Sequence, residues 1–327
     1  HLKVCLLTGC SQSQELIGNA PLDWIKLPAY DTVVIDGKST GIEGPGGFED
    51  KELGQLRGEQ IRQLVSLYRP RIILADHTPQ GKHRELVPSL EMGTEDRPLW
   101  VLGMCGIVGS VAQVGSGVAA DLYQRYFSAL LWYGDSTVLG EDHQAALAER
   151  FGADPVECGY VSRLIELVSA AHPAVLNRYG CTISIPWFGE HTDGFFDRLT
   201  EAIGLLGPKF GRFRIFVGHD VISSCRQKLE GLDFCSVERF GPHYVEALYS
   251  SKSAVVFGGY NSLVDVLSLG IPTLAVMRDM RDHEQQEHLE ILIRAVGRRL
   301  TAVLENECSV EQLHTLLIDR MKVDIDP

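Results

Sequence analysis

The feature that most constrains the fold is an alternation of short, continuously apolar runs with longer segments of helical period. This alternation is typical of parallel sheets whose strands are joined by crossover helices. A strand buried on both faces carries apolar residues almost without interruption. The runs that meet this description are Val4–Thr8, Arg71–Ala75, Leu99–Gly103, Ser136–Val138, Thr182–Ile185, Arg214–Val217, Ala254–Phe257 and Thr273–Val276. The sequence therefore predicts a doubly wound α/β fold.

Segments of helical period lie between these runs and predict the helices Asp50–Tyr68, His143–Arg150, Gly194–Leu206, Tyr244–Tyr249, Ser262–Leu269, Glu284–Val296 and Val310–Asp319. The Gly-rich stretch Asp36–Glu49 has no period and predicts a long mobile loop. Small residues in Glu157–Ser162 predict a hinge. Because 327 residues are enough for two domains with separate cores, we predict domains of 1–160 and 161–327 and expect a site in the cleft between them.

The charge balance is acidic, since 30 Lys and Arg against 43 Asp and Glu give a formal charge of −13. Such a surface is poorly suited to nucleic acid or to anionic lipid. No apolar run approaches the ~18–20 residues that span a bilayer, and the beginning of the chain lacks the flanks of a signal peptide. We therefore expect a cytoplasmic protein that has neither nucleic acid nor a membrane as a partner.

The eight cysteines include no CxxC pair, which argues against a zinc ribbon and against a disulfide framework and fits a reducing compartment. No cluster of His, Cys and carboxylates has the spacing of a metal site, so we expect neither metal nor cofactor. Cys105, beside a glycine, has two interpretations: a nucleophile, or the small buried hydrophobe that a free cysteine more commonly is.

The segment Ala254–Val276 carries the strongest chemical signal. A buried strand ends at Gly258-Gly259, and a helix opens around Asn261-Ser262. Glycines at the end of a strand let backbone approach a ligand, and the first N–H groups of a helix bind phosphate. Asp265, one turn into the helix, is suited to accept hydrogen bonds from ribose hydroxyls. The alternative is that the glycines only allow close packing of helix on strand.

A polar loop follows the next predicted strand and contains Arg278, Arg281, Glu284, Gln285 and Gln286. Because the carboxyl ends of parallel strands lie at one edge, this loop is expected to overhang the same crevice. The alternative is a solvated charged loop.

Together the two segments resemble the donor-binding half of the GT-B glycosyltransferases, in particular the MurG-like group. The residues that carry the resemblance are Gly258–Ser262, Asp265, Gly270–Pro272, Arg278 and Glu284-Gln285. The amino-terminal half is similar to the same group at Leu27-Pro28, Asp36-Gly37, Arg71–Asp76, Pro79, Gly81, Glu85-Leu86, Val101–Gly103, Tyr133–Asp135 and Gly159–Val161. The resemblance implies two Rossmann-like domains facing across a cleft, with the acceptor in the first half and a nucleotide sugar in the second.

The resemblance also implies roles for individual residues. The diphosphate would contact Gly218, Gly258, Gly259, Asn261 and Ser262. The ribose and sugar would contact Asp265, Arg278, Glu284 and Gln285. Phe240 would line the base pocket, and Gly189, His191 and Thr192 are candidates for a loop over the donor.

Three departures from the family pattern stand out. The chain opens at HLKVCLLTG, which matches the second strand of relatives and lacks their preceding G-x-G-H-L turn. Cys105-Gly106 stands where relatives often carry Arg-Asp, and Trp187 is unusual in the loop after Thr182–Ile185. The first and second departures concern the acceptor half, and the third suggests a particular acceptor.

Direct displacement at an anomeric carbon needs a base near the acceptor hydroxyl. Asp76 and His77 follow a predicted strand and are the candidates, although an Asp at this place often caps a turn. His191 and His219 have similar standing, with a hydrogen-bonded structural histidine as the alternative. Asp324–Asp326 imitates a D-x-D metal motif, but its place in the last four residues favours a solvated tail.

The sequence is therefore read as a glycosyltransferase that moves a sugar from a UDP-linked donor to a soluble small-molecule or secondary-metabolite acceptor, with inversion and without metal. One alternative is a nucleotide-sugar 2-epimerase on the same fold, because fold does not determine reaction. The other is a non-catalytic subunit that binds a nucleotide sugar.

Overall fold

The computed structural model describes residues 2–10, 13, 22–35, 38–42, 46–93, 97–107, 114–162, 164, 178–218, 221–278 and 284–323. The chain divides into two compact units. The amino-terminal unit consists of His1–Val33 and Ser39–Val161, and the carboxyl-terminal unit consists of Val34–Lys38 and Ser162–Pro327.

The first half of the chain contains the strands β1 (Cys5–Thr8), β2 (Asp23–Lys26), β3 (Asp31–Ile35), β4 (Lys38–Ile42), β5 (Ile72–Asp76), β6 (Leu99–Cys105), β7 (Phe127–Tyr133) and β8 (Val156–Glu157). Its described helices are α1 (Asp50–Tyr68), α2 (Val87–Leu90), α3 (Gly117–Tyr126), α4 (Ser136–Leu139) and α5 (Asp142–Phe151). Strands β1 and β2 pair in parallel, β3 and β4 form a second small sheet, and β5-β6-β7-β8 form a parallel sheet in that order.

Two predictions for this half are wrong. Ser136–Val138, predicted as a strand, lies in helix α4. The Asp135 carboxylate accepts the N–H of Thr137 at 2.9 Å and so caps a helical turn where the β-rich composition suggested a strand. The strand of this region is β7, which follows α3 directly. Lys38–Ile42, predicted to belong to a mobile loop, forms strand β4.

The carboxyl-terminal unit has one six-stranded sheet. Its strands are β9 (Tyr179–Ile185), β10 (Phe213–Val217), β11 (Cys235–Arg239), β12 (Ser251–Phe257), β13 (Thr273–Met277) and β14 (Leu300–Leu304). Its described helices are α6 (Thr192–Leu206), α7 (Ile222–Lys228), α8 (Pro242–Tyr249), α9 (Tyr260–Ser268), α10 (Glu284–Val296) and α11 (Val310–Lys322). The strands and helices predicted here are confirmed with ends shifted by up to three residues, whereas β11, β14 and α7 were not predicted.

The core of this unit lies between the sheet and the helices α6 and α11. Helix α6 directs Phe195, Leu199 and Ile203 into it, and each is at most 1% exposed. The spacing of four residues places them on one face of the helix. Full burial of such a side chain contributes about 1.5–3 kcal/mol to the free energy of unfolding. The packed sheet and helices therefore support the loops at the strand ends.

Candidate functional site

The strand order identifies where a ligand would bind on the carboxyl-terminal unit. The order is β11-β10-β9-β12-β13-β14, and every pair is parallel. The chain winds from β9 outward to β11 and then from β12 outward to β14, so the direction switches between β9 and β12. Ligands of doubly wound sheets bind outside the carboxyl ends of the strands at such a point. We call this place the switch-point edge; its walls are the loop Pro186–His191 after β9 and the turn Gly258-Gly259 after β12.

Packing among the described residues does not explain why glycine occupies both positions of the turn Gly258-Gly259. A Cβ added at Gly259 would meet no atom within 4 Å, and one added at Gly258 would make ordinary contacts of 3.6–3.9 Å. Gly259 has φ −70° and ψ 147°, which any residue adopts. Close packing of helix on strand, the alternative that the sequence left open, therefore does not explain these glycines.

Helix α9 presents its amino terminus at this turn. It has nine residues, and its N-cap residue, Gly259, has no side chain that could cap its first N–H groups. Asn261 in its first turn is exposed, and Ser262 is half-buried. The first N–H groups of a helix carry about half a positive charge in total, so this end is suited to an anion.

Asp265, the predicted ribose ligand, is buried at 6% exposure. Its Oδ1 accepts a hydrogen bond from the Ser162 hydroxyl at 2.9 Å, and the same hydroxyl accepts the N–H of Leu164 at 3.0 Å. The carboxylate thus ties the beginning of the carboxyl-terminal unit to helix α9. Its contact with ribose stays a prediction.

Helix α10 begins at Glu284, so the predicted sugar-binding residues Glu284 and Gln285 stand in its first turn, both half-buried. One turn further, His288 is buried and its ring stacks on Tyr260 at 5.7 Å and 17°. This contact joins the beginnings of α9 and α10. His288 was not predicted from the sequence, although its i+4 spacing from Glu284 was an available signal.

Arg278, predicted to contact the ribose or sugar, is bonded to other residues of the same unit, and its contact with a ligand stays a prediction. Its Nε donates to Glu305 Oε2 at 3.1 Å, and its Nη2 donates to the carbonyl of Trp187 at 2.6 Å. Both side chains of the ion pair are 6% exposed. Burial lowers the pKa of Arg278, and the Glu305 carboxylate opposes this shift. Nothing local in the sequence links Glu305 to this site, because its partners lie 27 and 113 residues away.

The loop after β9 is held at its far end by Thr192. The N–H of Gly189 donates to Thr192 Oγ1 at 2.8 Å, and that hydroxyl donates to Glu305 Oε1 at 2.5 Å. Thr192 is fully buried, and its place in a loop over the donor stays a prediction. His191 is exposed, so its imidazole remains accessible.

Gly218 and Phe240 lie just beyond β10 and β11 at the same edge of the sheet. Gly218 is half-buried, and a Cβ there would lie 3.8 Å from the carbonyl of Pro186. The Phe240 ring packs edge-on against Tyr244 at 5.2 Å. Their contacts with a diphosphate and a base stay predictions.

On the amino-terminal unit, Asp76 ends β5 and His77 follows it. His77 has φ 68°, a conformation that strains a residue with a Cβ, and its N–H donates to the carbonyl of Gly103 at 2.8 Å. Its Nδ1 lies 3.8 Å from the Cys105 sulfur. Burial lowers the pKa of His77, which keeps the imidazole neutral; partial desolvation raises the pKa of Asp76, against the influence of His77. Burial likewise raises the pKa of neighbouring Tyr133.

Several predicted positions lie outside the described residues, namely Asp36, Gly37, His219, Arg281 and Asp324–Asp326. Within the described ranges, no group of three or more His, Cys, Asp and Glu side chains is arranged to hold a metal ion. No described helix combines the length and the apolar character needed to cross a membrane.

No protein-family model matches the chain, and no curated protein matches its sequence. Solved structures do match. A putative UDP-N-acetylglucosamine 2-epimerase from Listeria monocytogenes has a TM-score of 0.58 at 13% identity, over 98% of this chain and 80% of that one. Arabidopsis thaliana UGT89C1, complexed with UDP-L-rhamnose, has a TM-score of 0.56 at 11% identity, over 98% and 82%. MurG of Acinetobacter baumannii has a TM-score of 0.50 at 10% identity, over 98% and 82%. The fold predicted from the resemblance is confirmed, and the chain has the GT-B fold of two Rossmann-like units.

Proposed function

We propose that the protein is a glycosyltransferase that moves a sugar from a UDP-linked donor to a soluble small-molecule acceptor, with inversion and without metal. The observation that carries the proposal is the turn Gly258-Gly259 at the switch-point edge. A Cβ at Gly259 would meet open space among the described residues. The helix that follows begins without a side-chain cap. A diphosphate explains both features, because it needs close backbone approach and unpaired N–H groups.

This arrangement assists cleavage of the bond between the sugar and the diphosphate. As the bond between the anomeric carbon and the diphosphate oxygen breaks, negative charge grows on the leaving nucleoside diphosphate. The amino terminus of α9 stabilises this charge without reorganisation of the protein. Asn261 and Ser262 supply further donors, and Glu284 and Gln285 bind the ribose and sugar hydroxyls. Phe240 packs against the base.

The acceptor hydroxyl attacks the anomeric carbon from the face opposite the leaving group, which inverts its configuration. Its proton passes to a base, for which we propose the His77 imidazole. Because burial lowers the pKa of His77, the ring is neutral at physiological pH and able to accept a proton. Asp76 lies next to it and favours the imidazolium that forms.

The test is incubation of the protein with UDP-glucose, UDP-N-acetylglucosamine and UDP-rhamnose, with and without a panel of hydroxylated small molecules, while released UDP is measured. The variants are His77→Gln and, as a matched control, His243→Gln, whose side chain is 75% exposed. We expect acceptor-dependent UDP release, a glycoside of inverted configuration by NMR, and loss of at least 100-fold in turnover only in His77→Gln.

The other outcomes separate the alternatives. A 2-epimer formed from the donor without UDP release would establish the epimerase. Tight binding of UDP-sugars without turnover with any acceptor would favour a non-catalytic nucleotide-sugar subunit. Absence of binding by all three donors would remove the proposal.

A further inference from the structure

The buried ion pair of Arg278 and Glu305 belongs to a network that joins segments at the ends of strands that are not neighbours in the sheet. Arg278 follows β13, and the carbonyl that it binds belongs to Trp187, which follows β9. Strand β12 lies between β9 and β13 in the sheet. The guanidinium therefore crosses the carboxyl end of β12, immediately before the turn Gly258-Gly259.

Aromatic contacts hold the guanidinium in this crossing. Its central carbon lies 4.4 Å from the centre of the Phe257 ring, the last residue of β12, and 4.7 Å from the centre of the Trp187 ring. Because the guanidinium is planar, contacts of this kind fix its orientation, which they cannot do for the compact ammonium group of a lysine. One side chain thus contacts the loop Pro186–His191, which is one wall of the switch-point edge, and Phe257, the residue immediately before the other wall.

The guanidinium is turned into the protein. Its Nε and Nη2 bond to Glu305, Trp187 and Thr192, and Nη1 is buried with no hydrogen-bond partner among the residues that the structure describes. A group buried in this way is poorly placed to meet a ligand directly. A buried ion pair with an unpaired donor is also a poor source of stability. The contribution of this pair is therefore to the relative position of the segments that it joins.

Glu305 extends the network to a third element. Its N–H donates to the carbonyl of Met277 at 2.9 Å, its Oε1 accepts from Thr192 at 2.5 Å, and its carbonyl accepts from Arg198 at 2.6 Å. The loop after β9 is therefore bonded at Trp187 and at Gly189 to one buried carboxylate through Arg278 and Thr192. We call Arg278, Glu305 and Thr192 the latch.

We infer that Arg278 is a positioning residue: the latch sets the separation between the loop Pro186–His191 and the turn Gly258-Gly259, so that both walls are in place before the nucleotide arrives. This differs from the direct sugar contact that the resemblance implies for Arg278. The inference rests on the proposed nucleotide site for its effect on affinity, whereas its effect on the loop is independent of that proposal.

The test uses two latch variants of the full chain, because removing the arginine outright would leave a buried charge and endanger folding. Arg278→Lys keeps the positive charge and loses the several N–H donors of the planar guanidinium. Thr192→Val keeps the shape of the side chain and loses the hydroxyl. The control is Arg178→Lys, from the exposed pair Arg178–Glu246 of the same unit. Hydrogen exchange of the peptide covering 186–192 is measured without nucleotide and with saturating UDP, together with the Kd for UDP.

We expect both latch variants, and not the control, to exchange the Gly189 amide at least 10-fold faster without nucleotide, to bind UDP about 5- to 50-fold more weakly, and to regain slow exchange when UDP saturates them. Weaker binding with unchanged exchange in the free protein would indicate direct ligand contact and overturn the inference. Faster exchange with unchanged affinity would overturn it as well. If the wild-type protein binds no UDP, the proposed function fails, and the exchange of the free variants alone decides whether the latch holds the loop.

Discussion

Replacement of Gly259 by alanine should leave the fold intact and weaken nucleotide binding. The substitution adds one methyl group at the amino terminus of α9, where no atom of the described residues lies within 4 Å. The backbone at Gly259 is extended, with φ −70° and ψ 147°, so alanine fits without strain. The added methyl group would occupy space that we assign to the diphosphate.

Two opposing effects on stability nearly cancel. Alanine is a poorer N-cap than glycine, which costs about 0.5–1 kcal/mol. The loss of backbone freedom in the unfolded chain returns about 0.4–1 kcal/mol. The net change should stay within about 1 kcal/mol, which corresponds to a shift in melting temperature of no more than about 2–4 °C for a unit of this size.

The effect on binding should be much larger. Loss of one backbone hydrogen bond to a charged oxygen costs about 1.5–3 kcal/mol, so the Kd for UDP should rise by about 10- to 150-fold. Calorimetric titration and a thermal melt on the same preparation measure both quantities. Gly117→Ala, another position where a Cβ would meet no atom within 4 Å, is the control and should leave the Kd for UDP unchanged. Unchanged affinity in a folded Gly259→Ala protein would refute the assignment of the diphosphate to this turn.

Three further results are expected. Because the pKa of His77 is lowered, its contribution to stability is present above pH about 6.5 and is lost as the pH falls through the lowered value. The melting temperature of His77→Gln should therefore decline less steeply than that of the wild type between pH 7 and pH 5. Parallel curves for the two proteins would contradict this. Burial raises the pKa of the Cys181 thiol to about 12, whereas Cys10 and Cys158 are exposed. A thiol reagent followed by peptide mapping should label Cys10 and Cys158 in the native protein and Cys181 only after unfolding. Labelling of Cys181 in the native protein would contradict its burial in the core. Leu199→Ala, at a fully buried position, should cost about 2–5 kcal/mol in denaturant melts, and a loss below 1 kcal/mol would show that its packing is misassigned.

The sheet of the carboxyl-terminal unit was largely predictable from the sequence. Its central strand β12 is continuously apolar over Ala254–Phe257 and is followed by Gly258-Gly259, so periodicity and turn chemistry agree there. In the other half, β7 was missed because it follows α3 with no turn residue between them. The error at Ser136–Val138 arose because one capping carboxylate, Asp135, outweighs the strand propensity of the segment.

The contacts around the candidate site were less predictable, because they join residues far apart in sequence. Ser162 and Asp265 are 103 positions apart, and Thr192 and Glu305 are 113 apart. A resemblance assigns such residues to a ligand by their type and order, but burial and partners emerge only when the chain is folded. Arg278 is the clearest case, since the resemblance implies a ligand contact for it, whereas its side chain is 6% exposed in an ion pair with Glu305.

The most direct test of the nucleotide site is hydrogen exchange of the wild-type protein with and without saturating UDP. The N–H groups of Gly259 to Leu263 should exchange markedly more slowly when the diphosphate binds at the amino terminus of α9, together with the loop Pro186–His191. Protection confined to other segments, with the exchange of 259–263 unchanged at saturation, would contradict the site.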